Sequence, residues 1–138
     1  MKDLDCPFRC AQDLLTFLQE KTLIIIVDFH AEATSEKQAF GWYLDGIASV
    51  VFGTHTHVQT ADERILPGGT AYITDIGMTG PLDGILGIER EPVLNRFMTQ
   101  MPTKFQVARG TTQLNGIVVD IDPVTGRSND IRRVFEYS

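Results

Sequence analysis

Apolar positions along this chain fall into runs whose spacing separates helices from strands. Ala11, Leu14, Leu15 and Leu18 recur at intervals of three and four, which predicts an amphipathic helix reaching about Glu20. The apolar run Leu23–Val27, continued to Phe29, predicts a buried strand. Ser35 with Gln38 three residues on has the form of a capping box. It opens a predicted helix over Ser35–Asp45, with Ala39, Phe40, Tyr43 and Leu44 as the buried stripe and Gly46 as the C-terminal cap. Ser49–Phe52 is the next strand and completes a β-α-β unit, expected to be parallel and right-handed.

Beyond this unit the pattern changes. Glu63–Leu66 and Thr70–Thr74 flank Pro67-Gly68-Gly69, which predicts a hairpin. Asp75 to Gly87 carries four glycines and a proline and reads as a long loop, a kind that is usually functional in compact domains. Pro92 suits the first turn of a helix whose Val93, Leu94, Phe97, Met98 and Met101 form one apolar face, stopped at Pro102. Strands Gln113–Ile121 and Ile131–Tyr137, joined by the turn Asp122–Gly126, make a C-terminal β-hairpin. With no linker, repeat or composition break, residues 1–138 read as a single α/β domain with a mixed sheet.

Charge and composition narrow the partners. A net charge of −6 with scattered Lys and Arg argues against stable nucleic-acid binding, which needs a basic stripe. No apolar run approaches the roughly 20 residues of a membrane span, and the start MKDLDCPFRC lacks the apolar core of a secretory signal. A cytoplasmic location is the expectation. Cys6 and Cys10 are four apart, but Pro7 argues against a regular helix there. Two reduced thiols is the expected state in that compartment.

The candidate chemistry lies at two strand ends. Asp28 and His30 follow the first apolar run, and His55 and His57 follow the second, past Gly53. Ligands of open α/β sheets bind at the carboxyl ends of strands, and imidazole is the commonest metal ligand. In an extended segment His55 and His57 point the same way, so both can converge on one metal or on two adjacent ones. The competing reading is a set of hydrogen-bonded polar residues at a sheet end. Asp28 is either a ligand or, better, an acceptor that orients an imidazole. Glu32, Thr34 and Ser35 read as well as capping residues, and Asp75 as an ordinary loop-starting aspartate. Thr54, Thr56 and Thr60 suit either a phosphate oxygen or nearby backbone groups.

The segments VDFHAEATSEK, GWYLDG, GTHTHVQTADERILPGGTAYITDIGMTGP and QLNGIVVDID together resemble the bacterial YmdB-like metallophosphoesterases of the calcineurin-like superfamily. The resemblance spans essentially the whole chain. It implies half of a calcineurin-like αββα sandwich and a dinuclear centre of iron or manganese, with zinc also possible. It further implies hydrolysis of small phosphate esters of the cyclic-nucleotide type, with His30, His55 and His57 as metal ligands. Ile47 departs from the family, which commonly has a basic residue there. Members are about twice this length, and their first half supplies an opening aspartate, a bridging carboxylate and an Asn-His pair. The chain thus resembles the C-terminal half of such an enzyme, from a truncated gene, a split gene or a cut piece.

Three functional expectations follow. In the first, the chain is the metal-binding half of a phosphodiesterase, holding at most one cation well because three neutral imidazoles cannot offset two. In the second, it is a non-catalytic association module that self-associates or pairs with a separate N-terminal half through an uncovered sheet face. The third, a structural zinc site combining Cys6 and Cys10 with the histidines, is weaker, since chain distance gives no reason for them to meet.

Overall fold

The computed structural model describes residues 5–138. Its elements run α1 (Pro7–Gln19), β1 (Ile26–His30), α2 (Thr34–Tyr43), β2 (Val50–Thr54), β3 (Arg64–Ile65), β4 (Ala71–Ile73), β5 (Gly80–Pro81), α3 (Arg90–Thr99), β6 (Thr112–Ile121) and β7 (Ser128–Tyr137). They form two sheets. The first has the order β1-β2-β4-β3, with β1, β2 and β4 parallel and β3 antiparallel to β4. The second is the antiparallel ribbon β5-β6-β7. This is the α/β class expected, with its β-α-β unit and C-terminal hairpin. Helices α1 and α2 cover one face of the first sheet and the second sheet covers the other.

Alternation along β2 and β4 explains the layers. Val51 and Tyr72 face the helices and bury Leu15 of α1 with Phe40 and Leu44 at α2. Val50 and Ala71 face the other way and meet Ile131 of β7, with Ile117, Val119 and Ile121 of β6 around them. Side chains two apart on a strand share a face, so one strand serves two cores. Each such buried aliphatic side chain contributes roughly 1.5–3 kcal/mol.

Several sequence expectations shift. Pro7 occupies the start of α1, where its missing N–H costs nothing, so a regular helix does contain Cys10. Both cysteines are free and exposed. The capping box at Ser35 does not form: Ala33 is the N-cap, without a side-chain hydrogen bond. The buried stripe of α2 is Lys37, Phe40 and Gly41, continued by Leu44, while Ala39 and Tyr43 are exposed. Gly41 is required there, since a Cβ would come 2.4 Å from the Tyr72 ring. On α3 only Val93 is buried, and Phe97 and Met98 stand 79% and 84% exposed. The loop after Asp75 includes the short strand β5, paired with the start of β6.

β1 begins three residues later than expected and lies at the edge of its sheet. Ile25 is buried beneath the helices, but Ile26 on the opposite face is 61% exposed. The second sheet lies over β2 and β4 and leaves β1 bare on that side. Among the described residues no helix is long and apolar enough to cross a membrane.

Candidate functional site

His30 and Thr54 are the last residues of β1 and β2 and are partners in the parallel register. Their side chains share the face that also carries Asp28, because the register pairs Asp28 with Phe52. Thr54 Oγ1 donates to Asp28 Oδ1 at 2.9 Å. A hydroxyl has one proton, so toward His30 Nδ1, 3.0 Å away, Thr54 Oγ1 can only accept. His30 therefore carries a proton on Nδ1 and turns Nε2 toward His55. Asp28 reaches the imidazole through Thr54 rather than directly.

Past Thr54 the chain does not stay extended. His55 has φ 117° and His57 has φ 64°, both in the left-handed region. The expectation that the two histidines alternate on one strand face is corrected: a turn, not a pleat, sets their directions. His55 Nδ1 lies 3.2 Å from His30 Nε2, with the rings edge to face at 5.0 Å. His57 shares neither a hydrogen bond nor a ring contact with them among the described residues, and it borders a groove lined also by Gln113, Asn115, Arg133 and Phe135. The structure thus gathers two of the three candidate ligands and sets the third apart.

What holds this turn was hardly visible in the sequence. Lys37, buried in α2, donates from Nζ to Asp75 Oδ2 at 2.9 Å, and both side chains are almost wholly inaccessible. The same oxygen accepts the N–H of Thr56, between the two histidines, and Oδ1 accepts the N–H of Gly77. Burial alone would raise the Asp75 carboxyl, but the Lys37 ammonium and the N–H groups of Thr56 and Gly77 hold it below the usual carboxylate range. Asp75 is accordingly an anchor of the turn. A buried lysine in a helix has no signature in a hydrophobic pattern. Gly53 lets the strands close around this pair, since a Cβ there would stand 1.9 Å from the Thr74 carbonyl.

Gln59 then ties the turn to the second sheet, its Nε2 lying 3.0 Å from the Gly116 carbonyl and 3.2 Å from that of Val134. Thr56 Oγ1 donates to the Val58 carbonyl and Thr60 Oγ1 to Asp62, so both hydroxyls are used internally. Glu32 is exposed beyond β1, and Thr34 and Ser35 begin α2 without capping it.

Two facing imidazole nitrogens 3.2 Å apart suit a shared cation. Metal–nitrogen bonds of about 2.0–2.1 Å put neighbouring ligand atoms roughly 3.0–3.4 Å from each other. The Asp28–Thr54 relay supplies the outer support that ligating histidines normally have. Among the described residues, however, no group of three or more His, Cys, Asp or Glu is assembled closely enough to hold a metal. The donor set fits a cation in kind but is incomplete in number.

Comparison with known proteins gives a consistent set of relatives. A family model described as YmdB-like protein matches residues 1–134. The 2′,3′-cyclic-nucleotide 2′-phosphodiesterase of Bacillus subtilis strain 168 is 60% identical over 132 residues, covering 96% of this chain and 50% of that protein. A putative phosphatase/phosphodiesterase of Mycoplasma pneumoniae is 44% identical over 117 residues, covering 84% of this chain and 41% of that protein. A crystal structure of a hypothetical protein from Thermus thermophilus superposes with a TM-score of 0.90 at 44% identity, over 99% of this chain and 53% of that one. A novel phosphatase from Mycoplasma pneumoniae gives 0.89 at 39% identity, over 95% and 46%. The chain spans about half the length of the curated relatives it matches.

Proposed function

The chain belongs to the YmdB-like family, and from that premise we propose that it is the histidine-bearing half of a metal-dependent phosphodiesterase for small cyclic-nucleotide-type esters. The observation that carries this reading is the His30–His55 pair, backed by Thr54 and Asp28. The name of the Bacillus subtilis relative supports the substrate class. Iron or manganese is the preferred metal, and zinc suits imidazole equally well.

His30 and His55 would hold one cation and His57 an adjacent one, which accounts for the division of the three side chains. Bound cations would supply a nucleophilic water at neutral pH and offset the charge that develops on phosphorus. The chain's own residues do the positioning. Asp28 and Thr54 fix the ring and tautomer of His30, and Lys37, Asp75 and Gly53 fix the turn that carries the other two histidines. The imidazoles bring no negative charge, so the carboxylates that complete the centre would come from the half that the longer relatives carry.

Association is part of the same reading. β1 pairs on one side only, and the exposed Leu14, Leu18 and Ile26 line one apolar strip between α1 and β1. Strands of the complementary half would cover it, and a second copy of this chain would do so in their absence. Metal analysis of the purified chain tests the proposal. Substoichiometric Mn, Fe or Zn that disappears in the His55→Ala/His57→Ala double variant is the expected result; unchanged metal content would reject the site.

A further inference from the structure

We infer that the groove beside His57 is a nucleoside subsite, with Phe135 as the platform on which a base stacks. The inference rests on the phosphodiesterase reading above and names where the non-reacting part of the substrate lies.

The argument starts from the pleat of the second sheet. In its register Val119 pairs with Ile131, Ile117 with Arg133, Asn115 with Phe135 and Gln113 with Tyr137. Residues two apart share a face, so Ile131, Arg133 and Phe135 lie on one side together with Val119, Ile117, Asn115 and Gln113. Where this face covers the first sheet it is aliphatic, built from Ile131, Ile117 and Val119. Where it runs out past the histidine turn it becomes Arg133, Asn115, Phe135 and Gln113. The change of chemistry on one continuous face coincides with the groove that His57 borders.

Size and donors fit a nucleoside. The groove encloses about 390 Å³, within the range of small-ligand sites. Phe135 is 49% exposed there, and an aromatic face open to water is what a base covers. Arg133 is held by its Nε, which donates to Glu63 Oε1 at 2.8 Å. Its two Nη groups have no protein partner among the described residues, and they suit the acceptor atoms of a base or ribose. Asn115 donates its amide to the Met78 carbonyl, leaving its own carbonyl oxygen to accept from an exocyclic amine. Gln59 fastens the histidine turn to the same sheet, so groove and turn keep a fixed relation.

Calorimetric titration of the full chain with adenosine, adenosine 3′-monophosphate and inorganic phosphate, with and without Mn²⁺, tests this. Adenosine should bind without metal, and Phe135→Ala should weaken both adenosine ligands about tenfold or more while leaving phosphate unchanged. Phe135→Tyr, which keeps the ring, should restore binding. Amide chemical-shift changes in the unaltered chain should fall on residues 113–115 and 133–135, a readout independent of any variant. Adenosine binding by a chain whose metal content is unchanged in the His55→Ala/His57→Ala variant would support the subsite and contradict the phosphodiesterase reading. No adenosine binding, shift changes elsewhere, or equal affinity in Phe135→Ala would overturn the subsite itself.

Discussion

Lys37 and Asp75, 38 residues apart in the chain, meet at 2.9 Å in a site closed to water, and their contact fixes the backbone between His55 and His57. A buried carboxylate that loses its cation typically destabilises a fold by about 3–5 kcal/mol. Lys37→Met should therefore lower the unfolding free energy by that order and weaken metal binding as the Thr56 anchor loosens. Chemical denaturation of variant and parent reads the first effect. A change under about 1 kcal/mol would mean that the pair contributes little to the fold.

Acid should unfold the chain through the same region. For Asp75, burial raises the carboxyl but is outweighed by Lys37 and the N–H groups of Thr56 and Gly77. For Asp62, burial is outweighed by bonds from Thr74 and Thr60. A carboxylate held low in the folded state contributes stability above its unfolded value, near 4, and loses it as pH falls through the folded value. Stability should thus decline below about pH 4, and Asp62→Asn should flatten that decline. An acid limb with the same slope in the variant would assign the effect to other groups.

His30 is exposed at a strand end, whereas Ile25 lies buried under the helices. Ile25→Ala should cost about 2–5 kcal/mol, while His30→Ala should leave the melting temperature nearly unchanged and reduce metal uptake. Equal thermal losses in both variants would make His30 a packing residue.

Much of the architecture could be read from the hydrophobic spacing because β2, β4, β6 and β7 bury what their alternation says they bury. The failures have physical causes. α2 turns Lys37 and Gly41 inward, one to neutralise Asp75 and one to admit the Tyr72 ring, and neither residue registers as apolar. α1 and β1 expose Leu14 and Ile26 because nothing among the described residues lies beyond that sheet edge. The three histidines were visible as a cluster, but their division into a pair and a single residue comes from two positive φ angles. Sequence spacing carries no sign of those angles at a His-Thr-His segment.

The bare edge of β1 should make the chain associate. Sedimentation of the unaltered protein is expected to give a dimer or larger species, and Ile26→Lys, which places a charge on the exposed strip, should shift it to monomer. A monomer in both cases would leave the strip without a role in assembly.

The central claim, that this chain carries the histidine half of a divided metal centre, is tested most directly by complementation. Hydrolysis of bis(p-nitrophenyl) phosphate would be measured in Mn²⁺ for the chain alone and after mixing with the N-terminal half of its Bacillus subtilis relative. The account predicts very low turnover alone, a large gain on mixing, and loss of that gain in the His55→Ala/His57→Ala variant. High metal-dependent turnover by the chain alone, or a gain that survives loss of both histidines, would contradict it.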